Sequence, residues 1–411
     1  MTMRWKGSII NKLHIELSNH CNAACPFCPR FLDATRTVRD DLVLTSITAE
    51  QYKSWLQPKH LEDMKRILFC GTHGDPIMAK DFNDIIEYTI ESNPDIHNII
   101  HTNGGARNVA FWTRLGEMSK KMDIPSIGRS NIQLIFSIDG LEDTNHLYRR
   151  NVNWDKLMEN VKAFLAAGGC AVWEFLVFKH NEHQVEEARK LSEEMGFMEF
   201  RPKRPLGFES NNGLKVRAVY DREGKLENKL YPSLNYKNHS DDISDVTINE
   251  RYEPEIDVKK RQQDKIKWMK ERLDSFEDEN TMYLQNIDKL NNMKVKCKSM
   301  EMKHGVLGTE IYISANGTVF PCCYVGTRVD SNIDMFEDVQ MRAHMRDEGM
   351  DKFRLTKYSL DEIIGMGSLD NVFAESWDKK SVQCGKLAYC AQICGSDSEI
   401  DRIYKAGDKN S

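Results

Sequence analysis

The run Cys21-Asn22-Ala23-Ala24-Cys25-Pro26-Phe27-Cys28-Pro29 decides how the rest of the chain is read. Three thiolates can hold three irons of a four-iron cubane and leave the fourth open, whereas structural iron–sulfur and zinc sites fill four ligand positions. A loop of this kind with no local fourth ligand asks for a small molecule to complete the shell. The same spacing also fits half of a zinc site completed from elsewhere, or reduced buried thiols. The surrounding chain has to separate these readings.

Outward from that loop, residues from about 10 to 205 alternate apolar strands with amphipathic helices. The strand candidates are Leu13 to Leu17, Ile67 to Cys70, Ile96 to Ile100, Ile132 to Ile138, Ala171 to Phe178 and Met198 to Phe200. Between them, Thr48-Ala49-Glu50-Gln51 reads as a capping box, Asp81 precedes a helix bearing Phe82, Ile85, Ile86 and Ile90, and Trp154 to Ala167 runs helically up to Gly168. Asn181 caps a further helix that stops at Gly196. Such alternation implies an α/β fold with a parallel sheet, and six units imply an open, partial (β/α)6 version of the eight-fold barrel. Loops after the strand C-termini carry the chemistry in barrels of this type, and the cysteine loop follows the first strand.

The chain has 411 residues, 40% hydrophobic and 29% charged, with a net charge of -6. That is the composition of a globular protein with room for two or three domains, and it gives no basic footprint for nucleic acid. No apolar run reaches the roughly 20 residues that span a bilayer, and Met1-Thr2-Met3-Arg4-Trp5-Lys6 has no signal-peptide core, so a cytoplasmic location is expected. Eleven cysteines in such a setting are not a disulfide framework. They gather at two ends: three in the first loop, then Cys297, Cys322, Cys323, Cys384, Cys390 and Cys394. Two metal sites explain that distribution. Cys70 and Cys170 sit in apolar runs and read as strand residues of the core.

The expected organisation is a barrel over 1–205, a charged and partly helical insertion or bridge over 206–295, and a small C-terminal domain over 296–411. In the insertion, Ile266, Met269 and Leu273 stand at helical spacing within a lysine-rich stretch, and the remainder reads as a solvated linker. In the tail, Glu310 to Cys322 holds Asn316-Gly317 between two short alternating runs, a hairpin signal that delivers Cys322 at the end of its second strand.

With these pieces in place, C-x3-C-x2-C with Phe27 before the third cysteine resembles the cluster loop of the radical S-adenosylmethionine (radical SAM) enzymes. Gly71-Thr72-His73-Gly74-Asp75-Pro76 looks like the family's G-G-E-P turn, with Asp75 where glutamate is usual. Thr102-Asn103-Gly104, Ser137-Ile138-Asp139-Gly140 and Arg149 resemble segments that line the SAM site in the subgroup with auxiliary clusters. The resemblance implies a 4Fe-4S cluster on Cys21, Cys25 and Cys28. It implies SAM contacts from Phe27, Gly74, Asp75, Asn103, Ser137, Asp139 and Arg149, and cleavage of SAM to a 5'-deoxyadenosyl radical that takes hydrogen from a substrate C–H. The tail is similar to SPASM or Twitch domains, which implies one auxiliary 4Fe-4S cluster on Cys297, Cys322, Cys390 and Cys394, with Cys384 as substitute ligand and zinc as the competitor. Cys323 stands where sulfatase-maturating relatives carry an aspartate base, and its expected roles are donor to a substrate radical, alternative ligand or buried side chain.

By the same resemblance the substrate is a peptide or protein, or else a sugar or other small molecule, and a flavodoxin- or ferredoxin-type donor supplies the electron. Only twenty residues precede Cys21, so no leader-binding domain is expected before the barrel. A non-catalytic iron–sulfur or zinc protein that transfers electrons or scaffolds a partner is the rival of a different class.

Overall fold

The computed structural model describes residues 4–32, 34–121, 123–124, 129–205, 207–210, 213–233, 248–249, 252–264, 267, 287–300, 308–329 and 339–396. The expected helix on Ile266, Met269 and Leu273 lies outside the described residues.

Six strands form the parallel sheet that the alternation implied: β1 (Ile10–Ile15), β2 (Arg66–Phe69), β3 (His97–Thr102), β4 (Ile132–Ser137), β5 (Cys170–Leu176) and β6 (Glu199–Lys203), adjacent in that order. Helices α1 (Ala49–Trp55), α2 (Phe82–Ser92), α3 (Val109–Lys121), α4 (Trp154–Ala166) and α5 (Val185–Met195) fill the crossovers. The fold is therefore α/β, a partial barrel. The Thr48 box is present, its hydroxyl accepting from the Gln51 amide while the Gln51 side chain accepts from the Thr48 amide.

Period-two alternation divides each strand between two environments. Leu13, Ile15 and Leu17 join Ile67, Phe69, Phe136 and Trp173 in the main core beneath the helices. On the opposite face, Leu68, Ile99, Ile135 and Val172 make a separate apolar band across the barrel interior. Above and below that band the interior positions are polar, beginning with Lys12, His14 and Glu16, all buried.

Two observed strand positions differ from the sequence reading for physical reasons. β1 begins three residues earlier than Leu13 because Lys12 and His14 point into the barrel and break the apolar run. β6 continues through Pro202, which an edge strand tolerates because no further neighbour needs its missing N–H.

The segment read as a solvated linker contains a hairpin of β7 (Arg217–Tyr220) and β8 (Leu226–Leu230), paired antiparallel. The expected Asn316-Gly317 hairpin forms between β9 (Thr309–Ile313) and β10 (Val319–Phe320). It is not free-standing: β9 lies parallel beside β1, with Leu13 opposite Ile311 and His14 opposite Tyr312. Trp5 reinforces this closure, since its amide donates to Asp370 Oδ1 and its indole to the Glu310 carbonyl. The tail continues as α6 (Cys323–Val329), α7 (Val339–Glu348), α8 (Leu360–Met366) and α9 (Ala388–Cys394). Among the described residues no helix is long and apolar enough to cross a membrane.

Candidate active site

The cysteine loop leaves the end of β1 and is folded by its own backbone. The Cys28 amide donates to the Cys25 carbonyl (3.1 Å) and the Phe31 amide to the Cys28 carbonyl (3.1 Å). Arg150, which the sequence reading passed over, anchors it from outside. Its Nε donates to the Ala24 carbonyl (2.7 Å), its Nη1 to the Tyr220 carbonyl on β7 (3.0 Å), and its Nη2 to the Thr35 carbonyl (2.9 Å). The hairpin in the former linker thus carries part of the site.

This folding brings the three half-buried thiols together. Burial, Asp75 and Cys25 raise the pKa of Cys21; burial and Cys25 push Cys28 up to about 12. For Cys25, burial raises the pKa, Arg149 opposes and Asp139 adds to the rise. Thiols that make one another harder to ionise are an unfavourable grouping, and coordination as thiolates to a cationic centre reverses that balance. Two donors already face the sulfurs: Arg149 Nη1 at 3.5 Å from Cys25 Sγ and Asn103 Nδ2 at 3.6 Å from Cys21 Sγ. The donor set fits an iron–sulfur cluster.

The Gly71–Pro76 turn sits beside this loop. A Cβ on Gly74 would collide with the Ser18 carbonyl, so glycine is what lets the turn lie against the backbone after β1. Asp75 is buried and latches the loops after β2 and β3 together. Its Oδ2 accepts from Thr102 Oγ1 (3.0 Å), the Asn103 amide (2.8 Å) and Asn103 Nδ2 (2.7 Å), and its Oδ1 from the Ile77 amide (3.3 Å). Burial raises its pKa to about 6 despite these bonds.

Glu16, which the sequence reading also missed, is the second buried carboxylate here. It accepts from the amides of His73 (2.6 Å) and Gly74 (2.9 Å) and from the Tyr312 hydroxyl (2.9 Å). Its signal was present in the polar phase of Lys12, His14 and Glu16. His73 is buried against this carboxylate, its Nδ1 4.0 Å from Glu16 Oε2.

Asp139 is fully buried beyond the end of β4, with Oδ2 accepting from Arg149 Nε (2.6 Å) and Oδ1 from the Leu176 amide (2.7 Å). Burial raises its pKa and Arg149 pulls it back. Burial also works against charge on Arg149, but Asp139 and Cys25 raise its pKa on balance. Ser137 ends β4 opposite Glu174 of β5. Glu174 pairs with Arg201 Nη1 (3.1 Å) and with Lys203, and near them burial lowers His101 to about 4, leaving a neutral imidazole. Cys70 lies in the same electrostatic neighbourhood, with burial, Glu16 and Asp75 raising its pKa. Phe27 packs in an aromatic box with Tyr148 (centroids 5.8 Å apart) and Phe208 (5.3 Å), under the Arg217 guanidinium at 4.8 Å.

A second thiol group lies in the tail. Cys297, Cys322, Cys390 and Cys394 line one small cavity together with Trp377 and Tyr389. The Lys296 amide donates to the Cys394 carbonyl (2.9 Å), clamping the two cysteine-bearing segments. Burial, then Cys322 and Cys394, raise the pKa of Cys297, and the same causes act on Cys390. Cys384 stays outside, exposed on the turn Val382–Cys384. Cys323 opens α6 beside Cys322 and is not part of the cavity lining. Among the described residues no three His, Cys, Asp or Glu side chains converge as ligands of one ion. The four thiols line that cavity together.

Residues 15–192 match the family described as the radical SAM superfamily. No curated protein matches the chain. Among solved structures the chain is similar to Streptococcus suis SuiB bound to precursor peptide SuiA, at 17% identity and a TM-score of 0.42, covering 93% of this chain and 76% of that one. It is also similar to anSMEcpe with bound AdoMet, at 15% identity and a TM-score of 0.46, covering 97% and 92%.

Proposed function

Because residues 15–192 are a radical SAM domain, we propose that the protein is a radical SAM oxidoreductase that modifies a peptide or protein. The observation that carries the reading is the grouping of Cys21, Cys25 and Cys28 at the mouth of the barrel, with Arg149 and Asn103 already aimed at two of the sulfurs. When bound there, a 4Fe-4S cluster and SAM supply reductive cleavage of SAM and hydrogen-atom abstraction from an unactivated C–H bond.

The chain's own residues prepare the site for that chemistry. Cys21, Cys25 and Cys28 hold the cluster, and Arg150 fixes their loop against β7. Asp75 locks the loops after β2 and β3, and its carboxylate is the one suited to an ammonium group. Arg149 sets a fixed positive charge between Asp139 and Cys25. Phe27, Tyr148 and Phe208 shield the loop from water on one side. Cys297, Cys322, Cys390 and Cys394 support one auxiliary 4Fe-4S cluster, a second redox centre for oxidation of the substrate radical. The peptide or protein class rests on the SPASM-like cysteine tail; a sugar or small-molecule dehydrogenase is the second reading, supported by the polar interior ring of His101, Glu174 and Lys203.

Anaerobic reconstitution with metal and sulfide counts tests the proposal. We expect about eight irons per chain, four for each cluster, and 5'-deoxyadenosine on incubation with SAM and a strong reductant. About four irons with one zinc would give the tail a structural role, and no nucleoside at all would favour a non-catalytic electron-transfer or scaffold protein.

Asp75 makes the SAM affinity pH-dependent. A carboxylate must be ionised to hold an ammonium, and this one titrates near 6. SAM binding should therefore be flat above that pH and weaken by roughly tenfold per unit below it. Binding titrations between pH 5 and 8 check this, with Asp75→Asn weaker throughout and lacking the inflection.

A further inference from the structure

We propose that Tyr312 and Glu16 are positioning residues that couple the C-terminal cysteine cage to the Gly71–Pro76 turn, so that the turn takes its working shape only when the C-terminal segment is docked on β1. The proposal rests on the reading of that turn as part of the SAM site.

A continuous chain of contacts runs between the two places. Cys322, a wall of the cage, leads directly into α6, where the Gly326 amide donates to the Cys322 carbonyl (3.1 Å). Gly326 packs on the ring of Tyr312 so closely that a Cβ there would collide with it. That ring is held edge-on to His14 of β1, with centroids 4.9 Å apart, and stacks on Phe320 at 6.2 Å. Its hydroxyl donates to Glu16 Oε2 (2.9 Å) and lies 3.1 Å from Thr72 Oγ1. Glu16 in turn accepts from the amides of His73 (2.6 Å) and Gly74 (2.9 Å), immediately before Asp75.

The direction of the coupling follows from burial. Glu16 is fully buried, so its carboxylate depends on these donors, and a buried acceptor that loses one of them is left partly unsatisfied. The turn supplies two backbone donors and the C-terminal segment supplies a third. Without the Tyr312 hydroxyl, Glu16 Oε2 loses a donor that holds the carboxylate in place, and the amides of His73 and Gly74 lose their fixed acceptor. Gly74 cannot compensate by retreating, because it is wedged against the backbone after β1.

The test uses the full chain first without metal, then reconstituted. Tyr312→Phe keeps the ring against His14, Phe320 and Gly326 and removes only the hydroxyl. Amide hydrogen exchange at His73 and Gly74 should speed up about fivefold, the equivalent of about 1 kcal/mol for one hydrogen bond, while Ile99 and Ile100 in β3 keep their wild-type rates. Gly326→Ala, which pushes on the same ring, should move the same two amides in the same direction. In the reconstituted Tyr312→Phe protein the Kd for SAM should rise by a similar factor at unchanged iron content. Unchanged exchange at His73 and Gly74 in both variants overturns the coupling, as does a uniform rise across β1 to β3, which marks general destabilisation. If the reconstituted wild type fails to bind SAM while the exchange result holds, the functional assignment of the turn falls and the coupling stands.

Discussion

Cys25→Ala should abolish 5'-deoxyadenosine formation and lower the iron content of the reconstituted protein by about four per chain. The expectation follows from how this thiol is placed. It sits between the other two in the loop, and Arg149 Nη1 lies 3.5 Å from its sulfur. Removing it leaves two thiols where an open-cornered cubane needs three. The fold should tolerate the change, because the loop's backbone bonds and the Arg150 anchors do not involve the sulfur, and a half-buried cysteine shortened to alanine costs about 1 kcal/mol. Cys384→Ala is the matched control. That residue is exposed and outside the tail cavity, so the iron count and product should match wild type. If Cys25→Ala keeps its iron and its product, the first loop is not the cluster site, and the functional proposal fails with it.

Much of this arrangement could be read from local pattern. Strand and helix alternation, the Thr48 capping box and the Asn316-Gly317 hairpin each depend on residues close in sequence, and each is present. The four tail cysteines that the family resemblance singles out line one cavity. What the sequence hid is non-local. Nothing in Thr309–Ile313 indicates that it pairs in parallel with a strand some three hundred residues earlier, because the Asn-Gly signal specifies only its partner across the turn. Arg150 is hidden for a related reason, since a charged residue in a loop looks solvated until the carbonyls that surround it are known, whereas Glu16 was legible only as the third polar position in the alternation Lys12, His14, Glu16. The β7–β8 hairpin escaped because its faces are only partly apolar, with Arg217 and Glu227 turned to the cysteine loop and its anchors. Cys70 read as core, yet it follows β2 into the polar side of the barrel, within reach of Glu16 and Asp75.

Arg149→Gln should produce the largest loss of stability among single changes in the site. Asp139 is fully buried, and its Oδ2 depends on Arg149 Nε at 2.6 Å. Removing one partner of a buried ion pair leaves a charge without compensation, at a cost of about 3–5 kcal/mol. In a chain of this size that corresponds to a fall of about 3–6 °C in the Tm of the metal-free protein, measured by thermal unfolding. Arg149→Lys should return part of the lost Tm but not SAM affinity, because a single ammonium can face Asp139 but cannot reach Asp139 and the Cys25 sulfur together as the planar guanidinium does. The double variant Arg149→Gln/Asp139→Asn separates the two roles of the arginine. With the carboxylate neutralised, the amide oxygen can still accept from Leu176, so most of the lost Tm should return. SAM binding should not return, since the positive charge beside Cys25 is still gone. A double variant that recovers both stability and SAM affinity would show that Arg149 serves only to neutralise Asp139. One that recovers stability alone identifies the guanidinium as a group whose charge is used by the bound cofactor.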